Sequence, residues 1–306
     1  MQVRRFVKYL ILFFLPIMVL AFAAEAYLRS LPNEYAFKND WITANADKLQ
    51  TLVIGSSKGY YGVRPQFFSS NAFNLATISE RPDYDCFLVE KFIKQCKKLK
   101  TVIYPVFYEI FVDPPFEQCE EWPRASYFKM YMDCPFHSDF SKYNLEISSV
   151  TAATDKYRNF KVDGGMGCDS LGYGIHCQLK NKNITAWKSG EEARASALRH
   201  TNRDSRFVEY NFNYVNRVAE MCRENHVRLM LVAFPCDKRY VKCLDKAQLK
   251  QFYDLTEKIK QDNNAEFHDF MNDPRFSDRD FFDSNHLSEI GAQKFTCMLD
   301  SLIENI

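Results

Sequence analysis

Short apolar runs, alternating with stretches of helical periodicity, constrain what this chain can fold into more than any other feature. Leu52-Val53-Ile54 runs into Gly55, Thr101–Tyr104 stops at Pro105, and Val227–Phe234 closes at Pro235. Ala72–Ala76 and Ala265–Phe270 read as two more strands. Between them, Asp83–Lys98 repeats Phe87, Leu88, Phe92 and Ile93 at helical spacing, and Val208–Glu224 puts Tyr210, Tyr214, Val215, Val218 and Met221 on one side. Lys246–Gln261 and Ser288–Glu304 read as further helices. Strands that are apolar along their whole length are buried on both faces, and helical connections between them favour parallel pairing. The expected fold is therefore α/β, a parallel sheet covered on both sides. In such sheets chemistry collects beyond the carboxyl ends of the strands.

The first thirty residues stand apart from this pattern. Arg4, Arg5 and Lys8 precede an apolar run from Tyr9 to Ala24, sixteen residues long and containing Pro16. The run reaches nineteen if it starts at Phe6 and Lys8 snorkels. That length favours an uncleaved signal-anchor over residues 1–30. Ala21-Phe22-Ala23 is also a cleavage-type sequence, which keeps a removed signal peptide as the alternative. The basic flank predicts a cytoplasmic N-terminus and a body on the extracytoplasmic, periplasmic side. Residues 31–306 are expected to form one exported domain, with 26–48 as a polar stalk or first helix.

Phe111–Arg206 breaks the alternation. It contains Pro114-Pro115, Trp122-Pro123 and Trp187, and five of the ten glycines fall between Gly164 and Gly174. This segment reads as an inserted cap that shapes a substrate groove. Gly164-Gly165-Met166-Gly167 is no phosphate cradle, because no buried strand leads into it. A net charge of +1 argues against a nucleic-acid partner. Aromatics at 15% fit either a sugar groove or an aromatic core. The ten cysteines show no metal-ligand spacing, so neither zinc nor any other cofactor is expected. In an exported domain Cys236 with Cys243, or Cys168 with Cys177, would suit a disulfide, the first pair more so.

Gly55-Ser56-Ser57 sits where a buried strand ends, and Asp283-Ser284-Asn285-His286 lies just ahead of the last helix. Serine needs a base to act as a nucleophile, and that base needs an acid to hold its tautomer. His286 suits the first role and Asp283 the second. The bland alternative is a helix cap made by Ser284 or Asn285, with His286 incidental. His200 reads as a surface residue rather than part of the site.

Leu52-Val53-Ile54-Gly55-Ser56-Ser57 with Gly62-Val63-Arg64-Pro65 resembles the first block of the SGNH/GDSL hydrolase superfamily. Phe281-Phe282-Asp283-Ser284-Asn285-His286-Leu287-Ser288-Glu289-Ile290-Gly291-Ala292 resembles its last block. With the anchor, the chain is most similar to the SGNH-like proteins of polysaccharide O-acetylation and D-alanyl transfer. The resemblance implies a flavodoxin-like three-layer sandwich over 31–306, outside the cap. It also implies Ser57 as nucleophile, His286 as base and Asp283 as its partner. Ser56 stands where that family often has Asp, and its oxyanion Gly and GxND blocks are not evident. Phe73–Ser79 and Tyr104–Glu109 occupy their places. An oxyanion hole would then rest on the Ser57 N–H, with Asn74 or the backbone near Ser79 as second donor and Tyr108 as a further contact. The implied activity is serine-dependent acyl transfer on a surface or exported polysaccharide, beside a membrane-bound O-acyltransferase. An esterase of the same fold, or a non-catalytic glycan-binding or assembly protein, are the alternatives.

Overall fold

The computed structural model describes residues 2–135, 144–202 and 204–304. Residues 136–143 and 203 of the expected cap lie outside the described residues. In chain order the first half comprises α1 (Gln2–Ser30), α2 (Glu34–Asn45), β1 (Thr51–Val53), α3 (Ser57–Gly62), β2 (Ala72–Asn74), α4 (Pro82–Phe92), β3 (Thr101–Val106), α5 (Trp122–Met132) and α6 (Val150–Asp163). The second half comprises α7 (Ile184–Ser189), α8 (Glu191–His200), α9 (Val208–Glu224), β4 (Arg228–Ala233), α10 (Lys238–Val241), α11 (Lys246–Asn263), β5 (Glu266–Asp269) and α12 (Glu289–Glu304).

Two compact units emerge. Residues 1–37 and 120–166 form one, and residues 38–119 and 167–306 form the other. The expected cap over 111–206 is thus divided between them. In the first unit, the stretch Val3–Ser30 of α1 is long and apolar enough to cross a membrane, with a mean hydropathy of 2.4 in its most apolar part. Past the apolar stretch, Glu25 binds Arg29 at 2.5 Å and accepts the Ile147 N–H at 3.1 Å. Lys156 pairs with the buried Glu146 beside the Tyr131 hydroxyl.

The second unit holds a five-stranded, all-parallel sheet in the order β2-β1-β3-β4-β5. This is the flavodoxin-like order, with the topological switch beside β1 and β3. Successive strand residues point to opposite faces. Val53, Ile103, Met230 and Val232 pack with Ala292, Phe295 and Leu299 of α12. Leu52, Val102, Leu229 and Leu231 are buried on the other face. There α9 packs on β4 and against α4 and α11.

β3 continues through Pro105 to Val106 rather than stopping at the proline. Ile54 donates its N–H to the Ile103 carbonyl at 3.1 Å, so residues 103 and 105 both point toward β1. β1 has ended by that level, and the missing N–H of Pro105 deprives no partner. The chain there has already turned at Gly55, where φ is 98° and a Cβ would lie 3.1 Å from the Pro105 Cδ.

Neither expected disulfide forms. Cys177, Cys236 and Cys243 are free thiols. Cys236 is buried with its Sγ directed at the Phe234 carbonyl, whereas Cys243 is exposed.

Gly55→Ala is expected to cost about 1–3 kcal/mol, because a side chain there meets both an unfavourable φ and Pro105. Denaturant unfolding of the purified variant measures it.

Candidate active site

The site starts from the way β1 ends. Gly55 turns the chain, Ser56 stays extended, and α3 begins at Ser57. The first N–H groups of a helix have no intrahelical partner, so the Ser57 amide starts out unclaimed by its own helix. The turn is pinned by the Thr77 N–H on the Gly55 carbonyl at 3.1 Å.

His286 is presented by the loop between β5 and α12. A Phe281–Leu287 bridge closes this loop, and the Phe282 N–H binds the His286 carbonyl at 3.0 Å. Inside it, Asp283 Oδ1 accepts the N–H groups of Asn285 at 3.0 Å and His286 at 2.8 Å. That local bonding is what an Asp at the head of a turn does. The cap of α12 is neither Ser284 nor Asn285. Ser288 supplies it, its Oγ accepting the Gly291 N–H at 3.2 Å. Gly291 lies so close to Asp280 that a Cβ would approach that residue's carbonyl to 2.0 Å, so only glycine lets the helix press on the loop.

The two loops bring together residues 229 apart in the chain. Ser57 Oγ lies 2.8 Å from His286 Nε2, and His286 Nδ1 lies 2.9 Å from Asp283 Oδ2. The Tyr61 ring stands edge-on to the imidazole at 5.8 Å. Burial alone would raise the Asp283 carboxyl, but the charge and N–H of His286 and the two backbone amides outweigh it and hold the group down at about 2. Asp283 is therefore ionised at neutral pH and accepts from Nδ1–H. That assigns the lone pair to Nε2, where the Ser57 hydroxyl donates.

The other expected contributors differ. Asn74 is fully buried, and its amide donates to the Gly59 and Val63 carbonyls, both at 2.8 Å, while Oδ1 accepts the Ala76 N–H at 3.1 Å. Its two N–H bonds are spent on holding α3 against β2, which removes it as an oxyanion donor. Tyr108 is also buried, its hydroxyl 3.0 Å from Thr201 Oγ1 and accepting the Asp245 N–H at 3.0 Å. The phenol ties helix ends together, and its ring lines a pocket with Lys58, Tyr240 and Met271 beyond β3 and β4. Ser79 follows β2 in a left-handed conformation with φ 60°; among the described residues no hydrogen bond joins it to Ser57 or His286.

His200 is not a surface residue. Its Nδ1 lies 2.9 Å from the Tyr240 hydroxyl and 3.5 Å from Glu109. Burial holds its pKa below the usual value, with Glu109 opposing and Lys58, Arg199 and His286 assisting.

Two contacts escaped sequence reasoning. Lys58, next to the serine, is buried and donates to the Asn285 carbonyl at 3.0 Å, tying the serine's helix to the histidine's loop. Glu192 accepts both the N–H and the hydroxyl of Ser284 at 3.0 Å. Lys58 carried one signal, its adjacency to Ser57. Glu192 carried none, since a Glu in the first turn of a helix reads as an ordinary dipole partner.

A protein-family model matches residues 192–306, well under half of the chain. No curated protein matches the sequence. Among solved structures, a GDSL-like lipase from Bacteroides thetaiotaomicron aligns over 89% of this chain and 98% of its own, with a TM-score of 0.41 and 9% identity. An acetyl xylan esterase aligns over 83% of this chain and 99% of its own, with a TM-score of 0.40 and 11% identity. Likenesses at that level leave function to be argued from the site itself.

Asn74→Ala is expected to lower stability by about 1–3 kcal/mol, the cost of leaving the buried Val63 carbonyl without a donor and the Gly59 carbonyl with the Val63 N–H alone. A denaturation midpoint unchanged from the parent protein would refute the structural role given to Asn74.

Proposed function

We propose that this chain is an SGNH-type serine enzyme of acyl transfer, held at a membrane by α1 and acting outside the cytoplasm on hydroxyl groups of a surface or exported polysaccharide. The observation that carries the reading is the unbroken chain Ser57 Oγ–His286 Nε2 at 2.8 Å and His286 Nδ1–Asp283 Oδ2 at 2.9 Å. The polysaccharide, and a membrane-bound O-acyltransferase as supplier of the acyl group, rest on the sequence resemblance and on the anchor.

The chemistry follows from the geometry. Ser57 Oγ attacks the ester carbonyl while His286 Nε2 takes its proton, and Asp283 stabilises the imidazolium that forms. The bond to the leaving oxygen breaks, and that oxygen receives the proton from His286. An acceptor hydroxyl then gives its proton to His286 and attacks the acyl-serine; the acyl–Oγ bond breaks and His286 returns that proton to Ser57 Oγ. With a sugar hydroxyl as acceptor the net reaction is transfer; with water it is hydrolysis. Negative charge on the carbonyl oxygen would be met by the Ser57 N–H, and one such donor is worth about 10²–10³ in rate.

Incubation with a small acetyl ester should release acetate, and a serine-directed phosphonate should block it and add its mass to the peptide containing Ser57. Ser57→Ala, His286→Ala and Asp283→Asn should each lose about 10³-fold or more, with losses that do not add in combination. Ser57→Ala should keep its stability within about 1 kcal/mol. Folded variants that leave both ester turnover and glycan acylation at parental levels would end this reading.

The basic flank at Arg4, Arg5 and Lys8 supports a cytoplasmic tip. The protein is expected to resist extraction by salt and alkaline washes, with its body open to protease from the extracytoplasmic side. A freely soluble form beginning at Ala24 would show instead that the segment is a cleaved signal.

A further inference from the structure

Beneath the nucleophile turn lie two acids that the triad does not use. Glu80 and Asp85 are only 1% and 2% exposed. Glu80 Oε2 accepts the Thr77 N–H at 2.8 Å and the Thr77 hydroxyl at 3.0 Å. Asp85 Oδ2 accepts the Tyr104 hydroxyl at 2.8 Å, and the Gly55 backbone amide also faces Asp85. The two carboxyls are within hydrogen-bonding reach of each other. Each nevertheless keeps one buried oxygen, Glu80 Oε1 and Asp85 Oδ1, for which no donor stands among the described residues.

Counted as two carboxylates, this arrangement sets like charges together in a buried site and leaves two acceptors without a protein donor, both costly. One proton removes both problems, because one acid then donates to the other. Lys38 is fully buried from the side of α2, with its ammonium on the Ala76 carbonyl and 4.5 Å from the Tyr60 ring centroid, and its charge acts on Glu80. It offsets the single negative charge that a proton-sharing pair retains. The remaining titratable neighbours are Asp83 and Cys86 on α4 and Tyr104 on β3.

We propose that Glu80 and Asp85 share one proton and thereby act as positioning residues for the nucleophile, tying the 77–80 loop and α4 to Gly55, two residues ahead of Ser57. The same loop pins the Gly55 carbonyl through Thr77, so the pair holds the turn from both its amide and its carbonyl side. Burial pushes Glu80 well above the ordinary carboxyl range and Asp85 to about 7; for Asp85 the Tyr104 hydroxyl and the Gly55 amide oppose the rise and Asp83 adds to it. A carboxyl raised in this way favours the folded state at low pH, and its contribution is lost as pH rises from the unfolded value through the folded one. Loss of the shared proton should force the loop from α4 and free Ser57 from its alignment with His286.

The proposal rests on the acyl-transfer reading only for its activity readout, so the test has two arms on the full-length protein in detergent. Infrared titration should show, in the wild-type-minus-Asp85→Asn difference, a protonated-carboxyl band that disappears with a midpoint near neutrality; Asp113, raised by burial to about 6, contributes equally to both proteins and cancels. In the second arm, the rate of phosphonate capture by Ser57 should fall in the wild type by up to about tenfold per pH unit above that midpoint. Asp85→Asn and Glu80→Gln carry a permanent N–H donor between the two side chains and keep an acceptor for Tyr104 or Thr77. Either variant should hold its rate on the alkaline side. A wild type with no such band, or an alkaline decline identical in all three proteins, overturns the proposal. If Ser57 reacts in none of them, the acyl-transfer reading falls while the infrared titration still decides the shared proton.

Discussion

Parallel strand pairing is the constraint on which the rest of this structure depends. Because β1, β2, β3, β4 and β5 all run the same way, every connection that leaves a strand's carboxyl end starts at one edge of the sheet. The Gly55 turn leaves β1 there, the Thr77–Glu80 loop leaves β2, Tyr108 and Glu109 follow β3, Cys236 and Tyr240 follow β4, and the loop carrying Asp283 and His286 follows β5. A serine and a histidine 229 residues apart therefore need only short excursions to meet. An antiparallel arrangement of the same strands would send half of these loops to the opposite edge.

Convergence of loops alone would leave the geometry loose. Three polar contacts, two of them buried and one half-buried, tighten it, each from a different part of the chain. Lys58 joins the serine's helix to the Asn285 carbonyl, Glu192 holds Ser284 from α8, and Asn74 fastens α3 to the end of β2. Residues of these types are seldom buried unless they are paired. Their concentration around one edge marks the place where polar groups are held in fixed positions, as a preorganised site requires. His200, Tyr240 and Glu109 extend the same polar layer near Lys58 and His286.

The second unit also shows how a departure from a motif is absorbed. Over Phe73–Ser79 and Tyr104–Glu109 the chain places a left-handed Ser79, a Tyr104 hydroxyl bound to the buried Asp85, and the Tyr108 phenol tied to two helix ends. Asn74 and Tyr108 bear side chains suited to bind substrate, yet their hydrogen-bonding capacity is used internally. Residue type indicated polar capacity at these positions; only neighbours show whether any of it is left over.

The sequence by itself determined the α/β class, the parallel sheet, the apolar N-terminal helix, and the pairing of Ser57 with Asp283 and His286. These are legible because they rest on local signals: apolar runs of strand length, helical periodicity, a turn glycine, and an Asp three residues ahead of a His, where loop bonding places both side chains together. Tertiary structure alone decided that β3 passes through Pro105, that Asn74 and Tyr108 spend their hydrogen bonds internally, and that His200 is half-buried against Tyr240. It likewise decided the contacts of Lys58 and Glu192, the meeting of Glu80 with Asp85, and the unbridged state of Cys236 and Cys243. Each of these depends on which group from a distant segment fills the space beside a side chain. That is a matter of packing and of satisfying buried donors and acceptors, and spacing along the chain carries no record of it.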